Sequence, residues 1–230
     1  ASTFGALALT GANVAVTENA ATDLAASTVS GTLGVTSTGA VTDSGTLAIT
    51  GGTTISASGQ DITLDEAAST FGTLVLTGAN VAVIENAATD LGASTVSGTL
   101  GITSGGAITD SGTLVITGAS TFTNTAGTNH AITLDDSSNV FSGTVAFSTD
   151  SGSAVTLVDT TSVDLQALNA GSLNVNVGGA VTDSGTLAIT GVTTINASGQ
   201  NITLDEAAST FGTLALTGAN VTVTENAATD

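Results

Sequence analysis

Three pairs of adjacent carboxylates are the side chains best suited to acid–base chemistry: Asp65 with Glu66, Asp135 with Asp136, and Asp205 with Glu206. Two carboxylates on either side of a glycosidic bond could hydrolyse a polysaccharide. Each pair recurs once per repeat, however, whereas an active site is normally one unrepeated group of residues. Adjacent residues of a strand point to opposite faces, and the sequence has no Lys or Arg to stabilise a developing anion. The pattern indicates solvated turn carboxylates and predicts that the protein is not an enzyme.

Repeated aspartates in turns are the second chemical candidate, because oxygen ligands suit hard cations such as calcium. Asp43, Asp110 and Asp183 each occupy a T-D-S-G turn, while Asp23 and Asp90 follow an E-N-A-A-T string that contains Glu18 or Glu85. The sequence lacks the GGxGxD repeat of calcium β-rolls and the EF-hand pattern, and a turn Asp usually bonds local backbone. We therefore expect no metal site and no cofactor. Calcium at Asp43, Asp110 and Asp183, or diffuse binding of divalent counterions, is the alternative.

The single histidine and the threonines carry weaker chemical signals. His130 has no Cys or second His with which to share a metal, so we expect a loop or surface residue. Flat Thr-x-Thr arrays on β-solenoids can bind ice, but Thr53 and Thr54 are adjacent and the other threonines flank apolar positions. The sequence shows no continuous array, and ice binding is kept only as an alternative.

Charge and composition exclude several classes of function. The 230 residues include 19 carboxylates, no Lys or Arg and one His, for a formal net charge of −19. Without cations to neutralise phosphate, binding to nucleic acid or anionic lipid is excluded. No apolar run approaches the ~18 residues of a membrane-spanning helix, so no membrane insertion is expected. Trp, Tyr, Met, Cys and Pro are absent, so small and β-branched side chains must fill the core, which suits a narrow, layered β interior.

Long internal repeats organise the whole chain. The string ASTFG occurs at Ala1, Ala68 and Ala208, and a degenerate copy, SSNVFSG, places Phe141 midway between the last two. This spacing predicts repeat units at approximately 1–67, 68–137 and 138–207, with a partial unit at 208–230. Both ends fall inside a unit and neither has a capping sequence. We therefore expect 1–230 to be one continuous segment of a longer array.

A shorter rhythm inside each unit predicts the secondary structure. The hexapeptide G-T-L-x-[VIL]-T and runs such as D-I-T-L-D place apolar residues at every second position, with Gly, Asn, Asp and Ser between them. Period two indicates strands with one buried face, and the intervening residues indicate turns. We predict an all-β parallel solenoid with three strands per coil and about three coils per 67–73-residue unit. About ten coils at ~4.8 Å each would make a rod about 50 Å long. A string of small antiparallel sandwiches is the competing fold.

The strings ITLDEAASTFGTLVLTGANVAV and GAVTDSGTLAIT resemble the repeat regions of filamentous-haemagglutinin-like proteins and giant β-strand-repeat surface proteins of bacteria. The similarity covers the whole chain. It implies a secreted, right-handed parallel β-helix that acts as a surface adhesin or fibre. The sequence departs from that family in having no secretion domain within these 230 residues and no Lys or Arg, so the resemblance implies fold and location but no functional residue.

These observations together predict an extracellular or cell-surface structural filament or adhesin stalk. The expected partners are other copies of the chain, associating end to end or laterally, and cell or environmental surfaces. Because the negative charge has nothing to offset it, divalent cations or low pH should bring neighbouring rods together. Two alternatives are kept. One is an adhesive or carbohydrate-binding module; the other is a polysaccharide-active enzyme, for which Asp135 to Asp164 is the only candidate region because it breaks the repeat.

Overall fold

The computed structural model describes residues 3–125, 127 and 129–226. Every regular element in this part of the chain is a β-strand, and neighbouring strands pair in parallel. The strands are β1 (Thr10–Gly11), β2 (Val14–Glu18), β3 (Thr22–Leu24), β4 (Ser27–Val29), β5 (Leu33–Ser37), β6 (Val41–Asp43), β7 (Leu47–Ile49), β8 (Thr53–Ser56), β9 (Ile62–Leu64), β10 (Thr73–Gly78), β11 (Val81–Glu85), β12 (Thr89–Leu91), β13 (Ser94–Val96), β14 (Leu100–Ser104), β15 (Ile108–Asp110), β16 (Leu114–Ile116), β17 (Ser120–Asn124), β18 (Ile132–Leu134), β19 (Val140–Phe141), β20 (Thr144–Ser148), β21 (Ala154–Asp159), β22 (Val163–Leu165), β23 (Leu168–Ala170), β24 (Ser172–Val177), β25 (Val181–Asp183), β26 (Leu187–Asn196), β27 (Ile202–Leu204), β28 (Thr210–Thr217) and β29 (Val221–Val223).

The strands wind into a parallel β-solenoid of about 11 turns. Residues that pair between adjacent turns lie from 17 positions apart, as Thr73 and Asp90, to 25 positions apart, as Ser120 and Val145. The all-β parallel solenoid predicted from the period-two pattern is therefore confirmed, and a string of antiparallel sandwiches is excluded for the described residues.

One continuous apolar core runs through the inside of all the turns. Inward positions of successive strands are almost fully buried aliphatic residues, such as Leu33 and Val35 on β5. Phe122 adds the main aromatic cluster, contacting Phe141 edge-on at 6.1 Å and stacking on Phe147 at 5.8 Å between ring centroids. Each buried Leu, Ile or Val contributes roughly 1.5–3 kcal/mol, so every turn depends on its neighbours to cover its side chains.

Each turn consists of two half-turns of different shape. A straight half-turn is one strand, such as β5, whereas a bent half-turn contains two short strands, such as β6 and β7, separated by the Ser-Gly of a T-D-S-G turn. Gly45 of that turn is pressed against the preceding coil, where a Cβ would collide with the Ala26 backbone. One straight and one bent half-turn together give the predicted three strands per coil.

The half-turns form two opposite faces of the rod. Face 1 is the sheet that runs through β3, β6, β9, β11, β14, β17, β20, β22, β25, β27 and β29; face 2 contains β2, β5, β8, β10, β12, β15, β18, β21 and β24. Straight half-turns occur in groups of four on one face, opposite three bent half-turns on the other. We call each such group of seven half-turns a block. The straight strands are β2, β5, β8 and β10 in the first block, β11, β14, β17 and β20 in the second, and β21, β24 and the C-terminal parts of β26 and β28 in the third.

Seven half-turns make three and a half turns, so successive blocks are rotated by half a turn. Equivalent residues therefore alternate between faces: Val14 lies on face 2, Val81 on face 1 and Val155 on face 2 again. The predicted three coils per unit are thus refined to three and a half per block, because two straight strands follow one another at every block boundary.

Glycines line one corner of each block where adjacent coils come closest. A Cβ on Gly51 would lie 2.6 Å from the Gly31 carbonyl oxygen, and Gly72 is pressed in the same way against Gly51. Real Cβ atoms do not approach backbone that closely. Gly51 and Gly72 are therefore required by coil-to-coil contact at this corner, whereas Gly45 meets the preceding coil at the T-D-S-G turn.

Candidate functional site

The T-D-S-G aspartates proposed as calcium ligands each hold a loop of the following coil. Asp43 Oδ1 accepts the Asp65 N–H at 2.8 Å, and Asp183 Oδ1 accepts the Asp205 N–H at 2.8 Å. Asp110 accepts the N–H of Asp135 at 2.8 Å in the same way. Each bent strand turns its Asp inward at the point where the next loop needs an acceptor. We call each of these Asp–loop contacts a joint.

Each joint also contains a Ser or Asn side chain from the following loop, and this residue distinguishes the middle joint from the other two. Ser69 Oγ accepts the Leu47 N–H at 3.0 Å, and Ser209 accepts the Leu187 N–H equivalently. The corresponding Asn139 accepts the Leu114 N–H through Oδ1 and also donates its amide to Asp110 Oδ2. Asp43 Oδ2 and Asp183 Oδ2 are buried and receive no hydrogen bond from the described residues.

Burial raises the pKa of Asp43, Asp110 and Asp183 above the ordinary value, and hydrogen bonds from the loop counteract this in part. Repulsion from Asp65 and Glu66 raises the pKa of Asp43 further. Across the described residues, no group of three or more acidic or histidine side chains is arranged to hold a metal ion. The hydrogen bonds account for the recurrence of these aspartates without a metal, and calcium at them stays untested.

The paired carboxylates lie in the loops that the joints hold. Asp65 is exposed and Glu66 is half-buried, and Ser69 N–H closes the turn on the Glu66 carbonyl at 2.9 Å. In the middle copy, Asp136 accepts the Thr113 hydroxyl at 2.9 Å. The same turn recurs in each unit, as expected of structural carboxylates.

A second set of acids, one in each unit, is buried. From the sequence, Glu18 and Glu85 were noted only as neighbours of the calcium candidates Asp23 and Asp90. Glu18, Glu85 and Asp159 end the first straight strand of their blocks and are each 1% exposed. Glu85 accepts the Phe71 N–H at 2.7 Å and the Thr89 hydroxyl at 2.8 Å. Burial raises its pKa from 4.5 to about 7 despite these bonds. The period-two pattern carried the signal, because Glu18 shares the inward parity of Val14 and Val16.

The remaining singled-out residues lie on the outside. Asp23 and Asp90 accept the hydroxyls of Ser44 and Ser111 in the next coil, at 2.9 and 2.8 Å. His130 is half-buried in the loop between β17 and β18. The contacts of Asp23 and Asp90 tie neighbouring coils together.

Threonine hydroxyls do form a column on face 2, which the sequence did not reveal. Thr53 is buried and Thr54 exposed, so the adjacent pair divides between core and surface. The column follows the register of β2, β5, β8 and β10 through Thr17, Thr36, Ser56 and Thr77. It is a single file, since its neighbouring column contains Ala15, Gly34, Thr54 and Val75. The paired rows of a Thr-x-Thr array are not formed at this place.

The divergent segment from Asp135 to Asp164 contains shallow grooves. Three open grooves in this part of the rod have volumes of about 330, 310 and 350 Å³. The first is lined by no carboxylate, the second by Asp159 and the third by Asp164. None of the three presents the two convergent carboxylates that glycoside hydrolysis requires.

Fold and side chains together define an acidic parallel β-solenoid built from repeated blocks. The chain belongs to the family described as repeats of unknown function (DUF5649), whose model matches residues 11–78, 78–148 and 152–218. These three matches coincide with the three blocks, each starting just before its first straight strand. No curated protein and no solved structure was found to match the chain. The resemblance to filamentous-haemagglutinin-like proteins is thus not confirmed. Within the described residues, no helix has the length and apolar character that crossing a membrane requires.

Proposed function

We propose that the protein is an extracellular structural filament or adhesin stalk with no catalytic activity and no bound cofactor. The observation that supports this proposal is the unbroken ladder of parallel strands through all three blocks, with one core inside it. An element that repeats without interruption suits a role in spanning distance. Catalysis would instead need a unique cleft.

The mechanism of such a filament is mechanical. Backbone hydrogen bonds between coils run along the rod axis, so pulling the ends apart must break many of them together. The joints add side-chain bonds across the same coil boundaries, for example Asp43 to Asp65. Because each coil covers the apolar side chains of its neighbours, a local break exposes core and is opposed by the hydrophobic effect.

A location outside the cell is the part of the proposal most directly open to experiment. We expect antibodies raised against this chain to label intact, unpermeabilised cells of the source organism, on thin fibres or on the envelope. A cytoplasmic protein probed in the same cells is the control for leakage. Label that appears only after permeabilisation would exclude a filament or stalk on the cell surface.

The absence of catalysis is tested separately. Purified chain should release no reducing sugar from a panel of neutral and acidic polysaccharides. Sustained release that is lost in an Asp164→Asn variant would instead support an enzyme in the divergent segment.

A further inference from the structure

The straight half-turns present flat faces that carry no charge, although the chain as a whole is strongly acidic. Their outward residues are Thr, Ser, Asn, Ala, Gly, Val or Ile throughout the described blocks. The only acids in these strands are Glu18, Glu85 and Asp159, and all three point into the core. We call the outward surface of the four straight strands in one block its neutral face.

The bent half-turns opposite each neutral face carry the charge. Asp23, Asp90 and Asp164 lie at the outward position of the first bent strand in their blocks. The paired carboxylates occupy loops of the same half-turns, as Asp65 with Glu66 does. Apart from Asp150, in the loop between β20 and β21, and the three buried acids of the straight strands, the acids of the described blocks lie in the bent half-turns or in the loops that lead into them.

The half-turn rotation between blocks distributes the neutral faces on both sides of the rod. The first and third blocks present theirs on face 2, at β5 and β24 for example, and the second presents its own on face 1, at β14. Along either side of the rod, neutral and acidic patches therefore alternate. Patches on opposite sides are offset by one block.

We infer that the neutral faces are the surfaces through which two copies of this chain associate side by side. Two rods with net charge −19 repel each other at their bent half-turns. At the neutral faces they can meet without bringing carboxylates together or burying them. Both partners also have strands repeating at the same ~4.8 Å spacing, so the outward rows of one copy match those of the other over many coils. This goes beyond the proposed function, because it assigns a surface and a partner.

The size of a neutral face sets how strong this association can be. Four strands at ~4.8 Å and about five residues at ~3.3 Å give an area of roughly 300 Å² per block. A standard stable interface uses about 800 Å² per partner. One block is therefore too small, and the two on face 2 together offer about twice that area. The acidic bent half-turns of the second block lie between them on the same face, so contact through both neutral faces requires salt to screen that patch. Association should strengthen steeply with the number of blocks.

A matched pair of double variants tests the assignment. Thr36→Asp with Thr194→Asp places two charges on the neutral faces of face 2, and Thr42→Asp with Thr182→Asp places two on bent strands of face 1. All four threonines are exposed strand residues, and both doubles add the same net charge. Circular dichroism and thermal unfolding establish that both fold like the parent. Sedimentation then follows the mass, and small-angle scattering the cross-section, as salt is raised to about 1 M. At that concentration the Debye length is about 3 Å, so repulsion between the rods is largely screened.

We expect the parent and the bent-strand double to gain cross-section with salt, and the neutral-face double to associate at least tenfold more weakly. Equal weakening by both doubles would overturn the assignment, as would growth in length alone or a parent that stays monomeric at every salt concentration. Binding of a neutral polysaccharide by the parent, lost in the neutral-face double and without self-association, would assign these faces to a glycan instead. None of these outcomes depends on where the protein is located, so the inference can fail independently of the proposed function.

Discussion

The joints at Asp43 and Asp183, which contain a serine, and the joint at Asp110, which contains Asn139, hold the next loop with different numbers of hydrogen bonds. We call them the serine joints and the asparagine joint. At Asp43 and Asp183 one carboxylate oxygen holds the next loop and the other has no donor from the described residues. At Asp110 both oxygens are used, because Asn139 supplies an amide where the other units have Ser69 or Ser209. The divergent middle unit thus has the best-satisfied joint.

The fold of the joint therefore tolerates a carboxylate oxygen that has no hydrogen-bond donor, but it does not require one. Burial raises the pKa of all three aspartates, so the charged form is disfavoured in each joint. The same contrast recurs at the buried acids. Glu85 has both oxygens bonded, whereas Glu18 Oε2 and Asp159 Oδ2 have no donor in the described part of the chain.

The largest expected effect comes from removing the carboxylate of the asparagine joint. Asp110→Ala leaves two loop N–H groups and the Asn139 amide without their acceptor, and we expect a loss of about 3 kcal/mol in the free energy of unfolding. Asp43→Ala should lose only about 1–2 kcal/mol, because fewer bonds are broken and an unsatisfied buried oxygen is removed. Urea denaturation followed by circular dichroism compares the two. Equal losses would mean that the extra bonds at Asp110 contribute nothing.

The second effect is the pH dependence set by the buried Glu85. Its folded pKa of about 7 lies above the ordinary 4.5, so the folded state holds its proton more tightly than the unfolded state does. The contribution of Glu85 to stability is therefore fully present below about pH 4.5 and is lost as pH rises through about 7. We expect Glu85→Gln to reduce the difference in melting temperature between pH 5 and pH 8 by on the order of 5 °C. Glu66→Gln, in a half-buried loop position, is the control and should leave the slope in place.

Converting the middle joint to the serine type should have a smaller effect. Asn139→Ser keeps an acceptor for the Leu114 N–H but withdraws the amide from Asp110 Oδ2. We expect a loss of about 1 kcal/mol, the usual effect of removing a donor from a half-buried carboxylate. Asn174→Ser, at an exposed position of β24, is the matched control. A neutral result for Asn139→Ser would show that the amide bond to Asp110 has no net value.

The reverse conversion is the smallest and sharpest test. Ser69→Asn should supply the missing donor to Asp43 Oδ2 and stabilise the chain by about 0.5–1 kcal/mol at pH 7. Because the donor favours the charged carboxylate, it should lower the pKa of Asp43, and the gain should vanish near pH 3. A gain that persists at pH 3 would point to better packing and not to the carboxylate.

Much of this architecture was predictable from local sequence. Alternation such as Leu47 and Ile49 predicted strands with one buried face, and the Ser-Gly pairs predicted the turns between them. The same rule would have placed Glu18 in the core with Val14 and Val16. Acids ordinarily lie on the surface, so residue type and residue parity point to opposite places for Glu18. The hydrogen bonds of the joints could not be predicted, since Asp43 and Asp65 belong to different coils and meet only when those coils stack.

Short-range periodicity and near-identical copies were enough to specify the strands, the repeat and the parallel coil. The number of half-turns in a block became apparent only from the folded chain. That number is odd, so equivalent residues such as Val14 and Val81 lie on opposite faces of the rod. The physical reason is that where a coil closes depends on packing against the coil beneath it. No residue spacing along the chain records that contact.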